Sequence, residues 1–241
     1  MARARLSRVS HCTPALVLRR VAYRDADWIV TLLTEQLGVV SALARSGRTS
    51  QRRFGGGLEP IHTLHVHLDE VATDRLLTLH EARIEIARHR VVTSLDAMQA
   101  AGRALLWVRR AAPERIPEPA VWRVVSTLLD HLNDGNDQRS AHVHLAECGL
   151  ALLVALGWGI EFERCVVSGQ VCEKGRSAMV DPVRGGLVSQ ACGGARILLE
   201  GAVRERMARA AREQPRALEE GDAELALSLV EQALRAHADL G

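Results

Sequence analysis

The sequence predicts an α+β protein: a five-stranded β-barrel at the N-terminal end, then an α-helical domain carrying a Gly-rich, cysteine-bearing insertion. Three observations predict it. Short β-compatible runs, separated by polar or glycine-containing breaks, fill the first 81 residues. Beyond them the apolar residues recur at helical spacing. Between residues 160 and 196 the helical pattern gives way to strand-like fragments punctuated by glycine, with Cys165, Cys172 and Cys192 among them.

The first strand is "ALVLRRVAY" (15–23), followed after a polar break at Arg24–Ala26 by "DWIVTLLT" (27–34) and then "GVVSALAR" (38–45). "IHTLHVHL" (61–68) alternates strictly, with Leu64, Val66 and Leu68 on one face and Thr63, His65 and His67 on the other. "DRLLTLHE" (74–81) is the fifth strand. Five short strands with a Gly-rich insert between the third and fourth fit a small closed barrel of the OB type, although periodicity alone does not separate this from an SH3-like barrel.

Helices follow. Ser94 is placed to cap "LDAMQAAGRALLWVRRAA", and "PEPAVWRVVSTLLDHL" opens with Pro119 in its first turn, a tolerated position. That second helix sets Trp122, Val125, Leu129 and Leu132 on one face. "SAHVHLAECGLALLVALGW" (140–158) is apolar nearly all round and reads as a buried central helix. After the insertion come "GAVRERMARAAREQ" and "DAELALSLVEQALRAHADL", the latter with Asp222 at the N-cap position. The expected organisation is a barrel domain over 1–82 and a helical domain over 83–241, with a knuckle-like insertion at about 160–196.

Composition bounds the function. No apolar run reaches the ~18–20 residues a membrane span needs, and "MARARLSRVSHC" has no apolar stretch behind its basic residues, so no secretory signal is expected. A cytoplasmic protein whose five cysteines are reduced thiols or metal ligands rather than disulfides is the expectation. Net charge is only +2, yet Lys174 is the single lysine, so nearly all positive charge is arginine. A GC-rich coding sequence accounts for that as well as function does, but arginine still brings a planar fork that binds phosphate and stacks on bases.

The segment "ARSGRTSQRRFGGGLEP" (44–60) concentrates this charge: Arg45, Arg48, Arg52 and Arg53 precede the first acid, Glu59. It sits after the third strand, where OB barrels engage single strands, and Gly, Ser and Thr supply mobility and hydroxyl donors. A solvated basic turn is the plain alternative. Arg19, Arg20 and Arg24 would extend a phosphate path if their strand faces outward. Aromatic residues are sparse, with Phe54 in the patch and Tyr23 and Trp28 elsewhere in the barrel, which points to backbone binding rather than base stacking. His62, His65 and His67 read as a solvated strand face rather than a metal site. No G-x-x-x-x-G-K-[ST], G-x-S-x-G, H-E-x-x-H or dinucleotide fingerprint is present, Glu219 and Glu220 read as exposed, and Cys148 lies in an apolar helix, so no enzyme is expected.

The insertion holds two fragments of a C-x2-C-G knuckle. Cys165-Val-Val-Ser168-Gly169 has serine at the second ligand position, and Ser189-Gln-Ala-Cys192-Gly193 has serine at the first. Cys172 is a third thiol off the pattern, so a zinc set of Cys165, Cys172 and Cys192 is conceivable, but serine is a poor zinc ligand and no cofactor is expected.

Three stretches resemble the RecO family of bacterial DNA repair and recombination mediators. "YRDADWIVTLLTEQLGVVSALARSGRTSQRRFGGGLEP" (23–60) is similar to the family's N-terminal signature, "LALLVALGWGIEFERC" to its helix entering the cysteine region, and "DPVRGGLVSQAC" to the segment closing the knuckle. Together they cover about 15 to 195, and the last helices match only in kind. The resemblance implies an OB fold joined to a helical domain with a zinc-finger-like insertion, binding of single- and double-stranded DNA, annealing, and partnership with RecR. It also implies contact with the acidic tail of single-stranded-DNA-binding protein (SSB), and help, sometimes with RecF, in loading RecA onto SSB-coated strands. Ser168 and Ser189 depart from the four cysteines of complete fingers, which makes this finger degenerate. The reading that follows is a non-enzymatic DNA-binding mediator in which Arg45, Arg48, Arg52, Arg53, Arg24, Arg19 and Arg20 contact phosphates, while Arg204, Arg206, Arg209 and Arg212 receive an acidic tail or further DNA. The alternatives are an interaction adaptor whose barrel does not touch DNA, and a zinc-dependent or redox-switched regulator acting through the three cysteines.

Overall fold

The computed structural model describes residues 8–55, 58–71 and 76–238. Five strands, β1 (Arg8–Tyr23), β2 (Asp27–Thr34), β3 (Gly38–Ala44), β4 (Thr63–Val71) and β5 (Leu77–Ile86), close into a barrel in the order β1-β2-β3-β5-β4. Every pairing in it is antiparallel except the short β3–β5 seam, where Ala42 lies beside Leu77 and Leu43 beside Thr78. A single turn, α1 (Gln51–Phe54), lies between β3 and β4 and buries Phe54 in the barrel interior with Leu58. Positions 56 and 57 of the glycine run, and positions 74 and 75 of the expected fifth strand, lie outside the described residues.

β1 begins seven residues earlier than the apolar pattern suggests. "RVSHCTP" is polar and contains Pro14, a residue that usually argues against a strand, yet it pairs with β4 from Arg8↔Val71 to Ala15↔Leu64. Further along, β1 carries a bulge. Val17 faces Leu32 and Arg19 faces Thr31, which leaves Leu18 without a partner opposite. The alternation divides β1, β2 and β3 between two cores. Ala15, Val17, Val30, Leu32, Val40, Ala42, Leu64, Val66 and Leu68 fill the barrel, whereas Leu16, Leu18, Leu33 and Val39 point out of it and join the helical core.

The helical part comprises α2 (His89–Thr93), α3 (Leu95–Ala111), α4 (Pro119–Asn133), α5 (Ala141–Ala155), α6 (Gly201–Ala211) and α7 (Ala223–His237). α5 packs against α3, α4, α6 and α7, as its all-round apolar sequence requires. The Ser94 and Ser140 hydroxyls accept from the backbone N–H of Ala97 and Val143, each at 3.3 Å, and so cap α3 and α5. Asp222 precedes α7 but does not cap it. Its carboxylate accepts from Arg206 Nε and the Glu219 N–H instead, at 2.6 and 2.9 Å. The buried stripe of α4 is also rotated from the expected one, because Val121, Val124, Val125, Leu128 and Leu129 are buried while Trp122 and Leu132 lie at its margin. Between α5 and α6, four short strands form a separate sheet in the order β6-β8-β7-β9: β6 (Glu161–Cys165), β7 (Ala178–Asp181), β8 (Gly186–Leu187) and β9 (Ile197–Leu199).

Candidate nucleic-acid interface

One end of the barrel gathers most of the expected arginines. Trp28 opens β2 between Ala22 of β1 and Ala44 of β3, on the same strand face as Val30 and Leu32. That parity turns the indole towards the barrel interior, but so near its end that the side chain remains half-exposed and packs on the margin of the core. The following loop folds over it. Ser46 donates its N–H to Asp27 Oδ1 at 2.8 Å, and Arg48 donates its N–H to the Ala26 carbonyl at 3.0 Å. Gly47 lies against the ring edge so closely that a Cβ there would come within 2.8 Å of Trp28 Cδ1, so only glycine fits.

The indole carries a guanidinium from each of two elements. Arg20 Cζ lies 4.8 Å from the ring centroid and Arg48 Cζ 5.8 Å from it, both within cation–π range. Arg20 also meets Glu59 at 2.5 Å, and Arg48 donates to the Asp25 carbonyl at 3.1 Å. Arg53 braces the loop from within, donating to the Arg45 carbonyl at 2.7 Å and to Ser50 Oγ at 3.2 Å. Arg24 lies over Tyr23, 5.1 Å from its centroid. Arg24, Arg45 and Arg52 are exposed and have no carboxylate partner among the described residues. The expected residues therefore divide into braces (Arg48, Arg53), a paired one (Arg20) and three open charges.

Arg19 is not part of this group. It occupies the other face of β1 from Arg20 and approaches Arg109 at the end of α3. Burial, then the charges of Arg19 and Arg110, depress the Arg109 pKa. Arg109 and Arg110 were not legible as site residues, since "WVRRAA" reads simply as a helix end. Phe54, expected in the patch, is buried. Trp28 takes its place, and the alternation of Trp28, Val30 and Leu32 was the signal that it shares the inward face.

The histidines are dispersed. His62 is buried and accepts the Arg88 N–H on Nδ1 at 3.1 Å, which corrects its placement on a solvated face. His65 is exposed, and His67 stands 3.7 Å from Asp69.

In the insertion, the turn after β6 is closed by the Gly169 N–H on the Cys165 carbonyl at 2.8 Å. Cys165 Sγ accepts the Ser189 N–H at 3.3 Å, with the Ser189 hydroxyl 3.6 Å away, so the two half-knuckles face each other. The Ser168 side chain, then backbone N–H groups of Ser189, Ser168 and Val167, pull the Cys165 thiol down to about 5. Among the described residues no three His, Cys, Asp or Glu side chains stand together as a metal ion requires, so the donor set does not fit the zinc that a complete finger holds. Cys148 is buried in α5, and desolvation pushes its thiol up to about 12.

Of the late arginines, Arg204 is buried and Arg206 largely so, while Arg209 and Arg212 are exposed. Arg204 is 2% exposed and spends its guanidinium on the carbonyls of Phe162, Glu173 and Arg176 at 2.5, 2.8 and 3.2 Å, tying α6 to the insertion. It cannot receive a tail. Arg206 pairs with Asp222 and Arg212 with Glu163, the latter at 2.7 Å, while Arg209 reaches the Ala217 carbonyl.

Both segments match known families. The model for Recombination protein O N terminal matches residues 9–87, and that for Recombination protein O C terminal matches 93–239. The chain belongs to the RecO family. It is 35% identical over 159 residues to the DNA repair protein RecO of Geobacter sulfurreducens, covering 64% of this chain and 62% of that protein. With the protein of the same name from Anaeromyxobacter sp. strain K it shares 31% over 177 residues, 73% and 68% of the two chains. The chain thus spans less than two thirds of the Geobacter relative's length. Residues 88–92 fall between the two RecO matches, and there Arg88 links barrel to helices. No helix among the described residues is long and apolar enough to cross a membrane.

Proposed function

We propose that this RecO-family chain acts in DNA repair as a non-enzymatic mediator whose OB-type barrel, built of β1 to β5 and ending at Ile86 rather than at the expected residue 82, binds single- and double-stranded DNA. One observation carries the reading: the turns that flank the partly exposed Trp28, and α1 beyond them, carry Arg24, Arg45 and Arg52 exposed and with no carboxylate partner among the described residues. Guanidinium groups there neutralise phosphates, and two complementary strands held on one basic surface gain the effective concentration that annealing needs without covalent chemistry. The cluster of Arg19, Arg109 and Arg110 supplies a second basic surface on the opposite side of β1. Partnership with RecR, docking of the SSB tail on the helical domain over 83–241, and help to RecA, with or without RecF, complete the proposal. The insertion at about 160–196 is read as a degenerate finger held by its Gly turns and by Arg204 rather than by metal.

The experiment is a titration of single-stranded oligonucleotide across salt with Arg45→Ala/Arg52→Ala. Binding should weaken for every sequence, and the salt slope should fall by about 0.7 for each phosphate that is no longer neutralised. Salt-flat binding by the parent chain would favour the adaptor reading.

A further inference from the structure

We propose that Trp28 is a base-stacking platform selective for single strands, and that Arg20, held by Glu59, covers it until a strand binds. The proposal rests on the DNA-binding reading above and names which strand form the site prefers.

The two guanidinium groups on the indole are held very differently. Arg48 belongs to the loop's framework: its backbone N–H is bound to the Ala26 carbonyl and its Nη1 to the Asp25 carbonyl. Among the described residues Arg20 has one polar tether, Glu59, and both side chains of that pair are open to solvent, at 32% and 53%. An exposed pair of this kind contributes little and is screened by salt. Arg20 is also the nearer of the two to the ring, at 4.8 Å against 5.8 Å, and so the one that an incoming base must displace.

What replaces Arg20 follows from shape and charge. A guanidinium lying over an indole is a planar, weakly hydrated group on an aromatic face, and a nucleobase is another. A base entering there arrives on a chain of phosphates. Arg24, Arg45 and Arg52 are open to receive them, and the displaced Arg20 gains a phosphate in exchange for Glu59. Glu59, the one acid ion-paired to these arginines among the described residues, repels the same phosphates once Arg20 has left, so it sets a threshold for binding.

Strand selectivity follows. Arginines meet the backbone of either form, but only an unpaired strand offers a base face to an aromatic ring without first unstacking a duplex. Trp28 should thus govern the ratio of single-strand to duplex affinity, whereas the arginines govern both together.

The test compares the parent chain with Trp28→Leu, Trp28→Phe and Glu59→Gln, using an oligothymidylate and a duplex of equal length. Trp28→Leu should lower the single-strand to duplex affinity ratio about tenfold, within the range expected for removing one base stack. Glu59→Gln should raise single-strand affinity. The oligothymidylate should quench parent tryptophan fluorescence, and Trp28→Phe, which keeps an aromatic ring in the fold, should abolish that quenching. An unchanged affinity ratio in a folded Trp28→Leu chain, or equal quenching in parent and Trp28→Phe, overturns the proposal. Failure of the underlying DNA reading has a different signature, in which Arg45→Ala/Arg52→Ala alters binding to neither probe.

Discussion

Arg88 and Asp130 join the two halves of the molecule: the buried guanidinium donates Nε and Nη2 to Asp130 Oδ1 at 3.0 and 2.8 Å. Its remaining donor, Nη1, reaches the Ile61 carbonyl and Thr63 Oγ1 at 2.9 and 2.8 Å, and its backbone N–H goes to His62. One side chain from the segment between barrel and helices thereby satisfies acceptors on both.

Replacing Arg88 by Leu leaves the Ile61 carbonyl and the buried Thr63 hydroxyl without that donor. Denaturant unfolding should show a loss of about 2–4 kcal/mol. Arg88→Lys should recover less than half of it, because an ammonium cannot reproduce the fork. Asp130→Asn, altering an exposed partner, should cost about 1 kcal/mol or less.

A second network predicts acid sensitivity. Burial raises the Asp137 pKa, but hydrogen bonds from the Arg139 backbone and side chain outweigh it and hold the carboxyl down to about 2, from 3.8. A depressed carboxyl stabilises the fold above its unfolded value and loses that contribution as pH falls through the folded one. The contribution is about 2 kcal/mol. Burial, then Arg139, also lowers the His144 pKa, and this too favours the fold on the alkaline side. Asp137→Asn should therefore be less stable than the parent at neutral pH in thermal melts, with the gap closing as pH falls from 3.8 towards 2.

The insertion predicts gain of a metal. Because Ser168 and Ser189 both approach Cys165, Ser168→Cys/Ser189→Cys should complete a four-thiolate set with Cys165 and Cys192. Metal analysis of protein produced in zinc-supplemented medium should find about one zinc per chain in the double variant and far less in the parent.

Much of this architecture was legible because strong periodicities dominate it. Leu64, Val66 and Leu68 alternate cleanly, and the uniform apolarity of α5 reflects four packed neighbours. What escaped detection depends on long-range partners. Pro14 hides a strand whose hydrogen bonds come from β4, and Asp222 reads as a cap until Arg206 claims it. Arg204 has the same side chain as Arg45, and only the carbonyls brought to it by the insertion make one structural and leave the other in solvent. The role of Trp28 depends on where β2 ends relative to the loop, which no local pattern specifies.

The extra residue in β1 has a consequence for the arginine pair that follows it. Were Leu18 paired opposite Thr31 instead of bulged out, the strand would carry its alternation straight through, and Arg19 rather than Arg20 would arrive on the side of the indole. The inserted residue sets the phase by which two adjacent, chemically identical side chains are sent to different addresses: one to the aromatic ring at the barrel's end, the other to the arginines of α3. Two basic surfaces with distinct neighbours thus arise from a single dipeptide, and their separation is written in strand registry rather than in residue type.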